Sequence, residues 1–353
     1  MLSALSHPQV LFTPQRPSPG VVAKILALIE VTAIIAASTL AAVQAQKLIS
    51  PGLGETLGLI SGTAPDYIAS SLAMLKQFAV QYGVALILIL VLAATRKRNT
   101  AKAYALTSRP VGLAGLIALG IIAGFIVSIP AQTIFLAKEI WPLGKDTILW
   151  SVMESNPWDT TFWIFAATAS FFVVPIIEEL LWRSYALGRL VEAFKPGAAL
   201  LLSSLVFASL HVQYLVNGDL LGYATMASVI ISAIIFGLLT LTTGSVIPAV
   251  IAHMILNTPM NMEFGAARLA IGLLALTVFA KAISRYLSLL RKMIIAWDTI
   301  VMLLLCLALG GSVYALITQG VNAMAILGVA MALSFVTAFI FKSPWRYCED
   351  EAA

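Results

Sequence analysis

Phe171-Phe172-Val173-Val174-Pro175-Ile176-Ile177-Glu178-Glu179-Leu180-Leu181-Trp182-Arg183 sets two carboxylates and a guanidinium inside an apolar run that extends from about residue 161 to 190. A bilayer is crossed by about 20 apolar residues, so the run is long enough to span one. Each charged side chain at the centre of such a helix costs roughly 2.5–3.5 kcal/mol on insertion scales. Three of them facing lipid would cost on the order of 8–10 kcal/mol. Ionisable residues in this setting are turned inward, paired and put to use. Two more polar patterns interrupt later apolar runs: Phe207-Ala208-Ser209-Leu210-His211 and His253-Met254-Ile255-Leu256-Asn257. Two carboxylates, two imidazoles and a carboxamide are the parts of a hydrolytic site.

The composition fits that placement. The 353 residues are 60% hydrophobic and only 10% charged, against about a quarter charged in soluble domains. Ten candidate spans follow, at 22–45, 72–95, 111–130, 161–190, 197–216, 220–241, 245–260, 265–284, 296–317 and 321–341. The expected fold is an all-α polytopic transmembrane bundle with a buried polar site. Its expected organisation is a flexible tail (1–20), N-terminal transmembrane helices with an interfacial segment (21–160), a catalytic helix core (161–290), and two extra C-terminal helices with a short tail (291–353). The seventh span is short and carries Pro248. In 131–160, Trp141, Trp150 and Trp158 suit an interfacial segment anchored by aromatics.

Charge distribution orients the bundle. With ten spans, most of the 21 Lys and Arg fall on one side. Only Lys47, Lys138, Lys145 and Arg268 fall on the other, with Lys76 at a span end and Arg183 inside a span. Basic loops stay in the cytoplasm, so both termini are expected there, with the plasma (inner) membrane as the expected location. The net charge of +5 reads as this loop bias and not as a nucleic-acid surface. Cys306 lies in an apolar run and Cys348 in the tail, which gives neither a zinc pattern nor a disulfide framework.

Helical rise places the motifs at one level. At 1.5 Å per residue, Glu178 lies roughly 16 Å from its span end, His211 about 20 Å, and His253 and Asn257 about 14 and 20 Å. Pro175 cannot donate to the carbonyl of Phe171, which predicts a kink beside the carboxylates. Glu179 and Arg183 are four apart on one face and form the expected ion pair. Glu178 is rotated about 100° away and is the freer carboxylate, suited to general base catalysis. Phe207 shares a face with His211 and would wall the site. His253 and Asn257 also share a face, where they would hold a developing oxyanion. Gln213, Asn217 and Asn261 lie nearer an edge and read as solvated. Glu30 and Asp298 also lie within spans and read as interhelical hydrogen-bonding groups.

The three motifs together, in order on successive apolar helices, resemble the CAAX-protease and bacteriocin-processing family, which contains the type II CAAX prenyl endopeptidases. The resemblance covers about residues 160–260. It implies an intramembrane endopeptidase with Glu178 as the base, His211, His253 and Asn257 as further catalytic residues, and Glu179, Arg183 and Phe207 in support. The substrate would be a membrane-associated protein or peptide, lipidated or itself a membrane segment. Cofactor-free hydrolysis is the favoured chemistry. A zinc-dependent alternative would use His211, His253 and Glu178 as ligands. A proton-coupled transporter and a non-cleaving immunity or binding protein are the alternatives outside proteolysis.

Overall fold

A computed structural model describes residues 20–49, 52–58, 64–95, 105–106, 112–144, 159–215, 217–259 and 262–295. The N-terminal tail, the last two expected spans, Trp150, Trp158, Asn261, Asp298 and both cysteines lie outside these residues. The described residues are helical and contain no strand, apart from an isolated bridge between Leu106 and Ser245.

Among the described residues five helices are long and apolar enough to cross a membrane. They are α1 (Val21–Leu48), α2 (Tyr67–Thr95), α3 (Leu113–Lys138), α4 (Thr160–Val191) and α6 (Leu220–Thr243). The chain is therefore an integral membrane protein built as a helix bundle. Between these run two shorter apolar helices, α5 (Pro196–Ser209) and α7 (Ile247–Leu256). They have 14 and 10 residues, or about 21 and 15 Å, and neither alone covers a hydrocarbon core of about 30 Å. As α-helices these therefore cover only part of the expected spans 197–216 and 245–260 and end part-way along them. A backbone end at that depth is tolerated only where protein or a wet cavity satisfies it.

The expected eighth span, 265–284, is not a straight helix. The chain continues as α8 (Met262–Val278) and α9 (Ala280–Ile295), and their axes differ by 80°. The change of composition explains the bend. Leu273, Leu274 and Val278 expose apolar surface, whereas Lys281 and Arg285 follow at once, and a straight continuation would carry them into hydrocarbon. Arg268 does not occupy an outer loop as the span count has it. It lies buried on α8.

Glycines set the closest helix approach. A Cβ on Gly120 of α3 would lie 2.7 Å from Ile251 Cβ, and one on Gly124 would lie 2.8 Å from Ile255 Cβ. The Gly-x-x-x-Gly spacing puts both on one face, so α3 and α7 pack nearly backbone to backbone. Gly272 of α8 meets the Phe125 carbonyl of α3 in the same way. The main apolar core lies elsewhere, around Leu187, Leu190, Leu200 and Leu241 of α4, α5 and α6. There Glu30 of α1 finds its interhelical partners: it accepts from the Tyr185 hydroxyl at 2.9 Å and pairs with Arg189 at 2.8 Å.

Candidate active site

α4 is not a uniform helix, and its irregularities frame the site. The turns Ala167–Phe171 and Leu180–Ala186 are wide π turns, a feature often found at functional sites. The first ends where Phe172 N–H reaches back five residues to the Ala167 carbonyl at 3.1 Å. Pro175 follows in the next turn, so the break lies where the missing proline N–H predicts it. Glu178 and Glu179 sit between the two wide turns.

Glu179 is fully buried. Its Oε1 accepts from His253 Nδ1 at 2.8 Å, and its Oε2 lies 3.2 Å from Arg183 Nε. The second contact is an ion pair without hydrogen-bond alignment. The Arg183 guanidinium also lies over Phe207 at 4.3 Å and Phe236 at 5.6 Å from the ring centres. The negative faces of the two rings complete its surroundings. One carboxylate thus neutralises the arginine within its helix and anchors the imidazole of α7.

Both imidazoles have their tautomer set by a neighbour. A carboxylate accepts from His253 Nδ1, and the Phe207 carbonyl lies 3.1 Å from His211 Nδ1. Since neither partner can donate, each Nδ1 carries the proton and Nε2 is left for chemistry. His253 Nε2 lies 4.0 Å from Glu178 Oε2 and 3.0 Å from Asn257 Nδ2. Phe236 stacks on the His253 ring at 5.1 Å, and Phe207 packs on the His211 ring at 4.7 Å.

Asn257 and His211 are placed by the ends of the short helices. α7 stops at Leu256, and Asn257 caps it. The Asn257 amide spends one N–H on His253 Nε2 and the other on the Ser170 carbonyl at 3.3 Å, while Ser170 Oγ donates to the Asn257 carbonyl at 2.7 Å. Arg268 fastens the same peptide from outside. It donates to the Thr258 carbonyl at 2.8 Å and the Leu256 carbonyl at 3.2 Å, and so satisfies orphan carbonyls of the helix end. His211 lies two residues past the end of α5, in the turn before a short 3-10 segment, Val212–Leu215.

Glu178, His211, His253 and Asn257 line one cavity of about 340 Å³. Its remaining polar wall includes Ser170, Gln213, Tyr214, Thr225, Ser228 and Ser232, and its apolar wall includes Met74, Phe78, Ile134, Phe135 and Phe207. Gln213 is exposed, as expected of an edge residue, yet it lines the cavity rim; Asn217 is exposed and is not part of that wall. Glu179 and Arg183 stand behind the cavity wall. Sequence reasoning missed Ser170, Phe236 and Arg268. Ser170 carried a weak signal, a small polar residue in an apolar run one turn before Pro175. Arg268 carried a stronger one, a cation beside an apolar run.

A zinc-dependent site would draw on His211, His253 and Glu178 as ligands. Of these donors, His253 Nε2 faces the Asn257 amide at 3.0 Å and lies 4.0 Å from Glu178 Oε2. Among the described residues no three His, Cys, Asp or Glu side chains cluster closely enough to hold a metal ion.

No curated protein and no solved structure matches the chain. A family model, described as Type II CAAX prenyl endopeptidase Rce1-like, matches residues 160–259. That segment holds every residue of the three motifs, and over it the family resemblance of this chain is borne out.

Proposed function

We propose that the chain is an intramembrane endopeptidase of the glutamate type. It hydrolyses a peptide bond near the C-terminus, or within a membrane segment, of a membrane-associated protein or peptide. The family match supports a CAAX-type intramembrane protease. The observation that carries the finer reading is that Glu178, His211, His253 and Asn257 share one cavity among the helices. Its apolar wall suits a hydrophobic segment, and its polar wall supplies the chemistry.

In this reading Glu178, helped by His211, takes a proton from a water. The hydroxide attacks the peptide carbonyl, and the charge moves to the carbonyl oxygen. Glu178 then passes its proton to the departing amine, so it begins and ends the cycle ionised. His253 and Asn257 stabilise the oxyanion. Asn257 donates to it by giving up one present bond, and the 3.3 Å contact to Ser170 is the longer of its two. His253 Nε2 takes up a proton from solvent before the attack and keeps it through the cycle, so it donates to the oxyanion; Glu179 holds the Nδ1 proton and supports this imidazolium. The Asn257 amide on His253 Nε2 supports an oxyanion-donor role for this pair, and no step is routed through zinc.

Mass spectrometry of membrane-protein C-termini, with wild type and with Glu178→Gln, tests the proposal. Trimmed termini are expected only with the wild type, and they persist after chelation. Equal trimming with Glu178→Gln would remove the base from the mechanism. Trimming that stops on chelation and returns with zinc would replace it by metal chemistry.

A further inference from the structure

The helix α9 is strongly amphipathic, and the mechanism above makes no use of it. It contains Lys281, Arg285, Arg291 and Lys292 and no acidic residue. At about 100° per residue these four cations, with Ser284 and Ser288, fall within one arc of roughly 120°. Lys281, Ser284, Ser288, Arg291 and Lys292 are exposed and Arg285 is half-buried. The opposite arc packs on the bundle: Met293 is buried in the main core, with Tyr286, Leu289 and Leu290 against it.

Two observations set this helix along a membrane surface. It lies at 80° to α8, whose exposed Ile271, Leu274 and Val278 mark a lipid-facing helix. An apolar run follows it at 296–317. A helix turned at nearly a right angle to a lipid-facing one, and followed by a long apolar run, runs in the membrane plane. The edge between its two arcs also carries Leu287, 59% exposed. Apolar surface beside a basic arc is the pattern of interfacial helices on anionic lipid.

We propose that α9 is an anionic-phospholipid binding strip, with Lys281, Arg291 and Lys292 engaging headgroup phosphates and Leu287 dipping beneath them. This rests on the helix alone and is independent of the proteolytic reading. Native mass spectrometry of the full chain in detergent, titrated with phosphatidylglycerol and phosphatidylcholine, tests it. With each cation near an anionic surface contributing several-fold, wild type is expected to retain phosphatidylglycerol about tenfold more readily. The Lys281→Gln/Arg291→Gln/Lys292→Gln variant is expected to fall to near parity, and Lys281→Arg/Lys292→Arg to keep the preference. Salt of about 0.5 M should erase it in the wild type, a readout that needs no variant. A preference that survives both the Gln variant and salt would overturn the assignment. So would binding of soluble polyglutamate with none of phosphatidylglycerol.

Discussion

His253 is the residue on which the candidate site turns. Its Nδ1 proton is held by Glu179, its ring is stacked by Phe236, and its Nε2 faces Asn257 and Glu178. This divides the carboxylates by function. Glu178 is half-buried at the cavity while Arg183 pairs with Glu179, so Glu178→Gln is expected to lose cleavage by about 10²–10⁴-fold. The unfolding temperature in detergent should stay near that of wild type. Glu179→Gln is the contrary case. It leaves the Arg183 charge buried without its counter-ion, and breaking a buried pair costs about 3–5 kcal/mol. A large drop in unfolding temperature is expected there; an unmoved one would show that the aromatic faces of Phe207 and Phe236 suffice for Arg183.

Helix α7 is short, and its position depends on what presses on it. Gly120 and Gly124 let α3 approach it on one side, and Arg268 of α8 fastens its end. Gly124→Leu forces a side chain into the space of Ile255, and overpacking of this kind costs about 1–3 kcal/mol. Reduced thermal stability and loss of cleavage are expected together, since α7 carries both His253 and Asn257. Arg268→Gln removes charge-assisted bonds to two carbonyls, each worth about 1.5–3 kcal/mol. Hydrogen exchange at Asn257 and Thr258 should rise, while that of α1 stays unchanged. Uniform exchange across the chain would show that Arg268 does not hold this helix end.

The whole bundle encloses polar chemistry by bringing helix ends to it. The ends of α5 and α7 bring His211, Leu256 and Asn257 to the cavity, so polar groups meet there instead of in lipid. The strong basic bias places both termini in the cytoplasm as a proposal. Reporter enzymes fused to either end are expected to be active on the cytoplasmic side only, and opposite readings at the two ends would mean an odd number of crossings. Much of this architecture was legible in the residues. Apolar runs mark helices because lipid cannot satisfy a bare backbone, and charged residues inside such runs mark a site because lipid cannot solvate them. The ion pair of Glu179 with Arg183, the break near Pro175 and the bonding of Glu30 to neighbouring helices all follow from local rules. Other features did not. Hydropathy measures the length of an apolar run and not where its backbone bonds end, so the early ends of α5 and α7 and the bend between α8 and α9 went unseen. The Gly120-x-x-x-Gly124 spacing was visible, but its partner helix was not. The grip of Glu179 on His253 joins residues 74 positions apart. Local chemistry named the ionisable groups; only the packing of α3, α4, α6 and α7 decided which carboxylate holds the imidazole and which faces the cavity, because that choice depends on distances between helices that no spacing along the chain encodes.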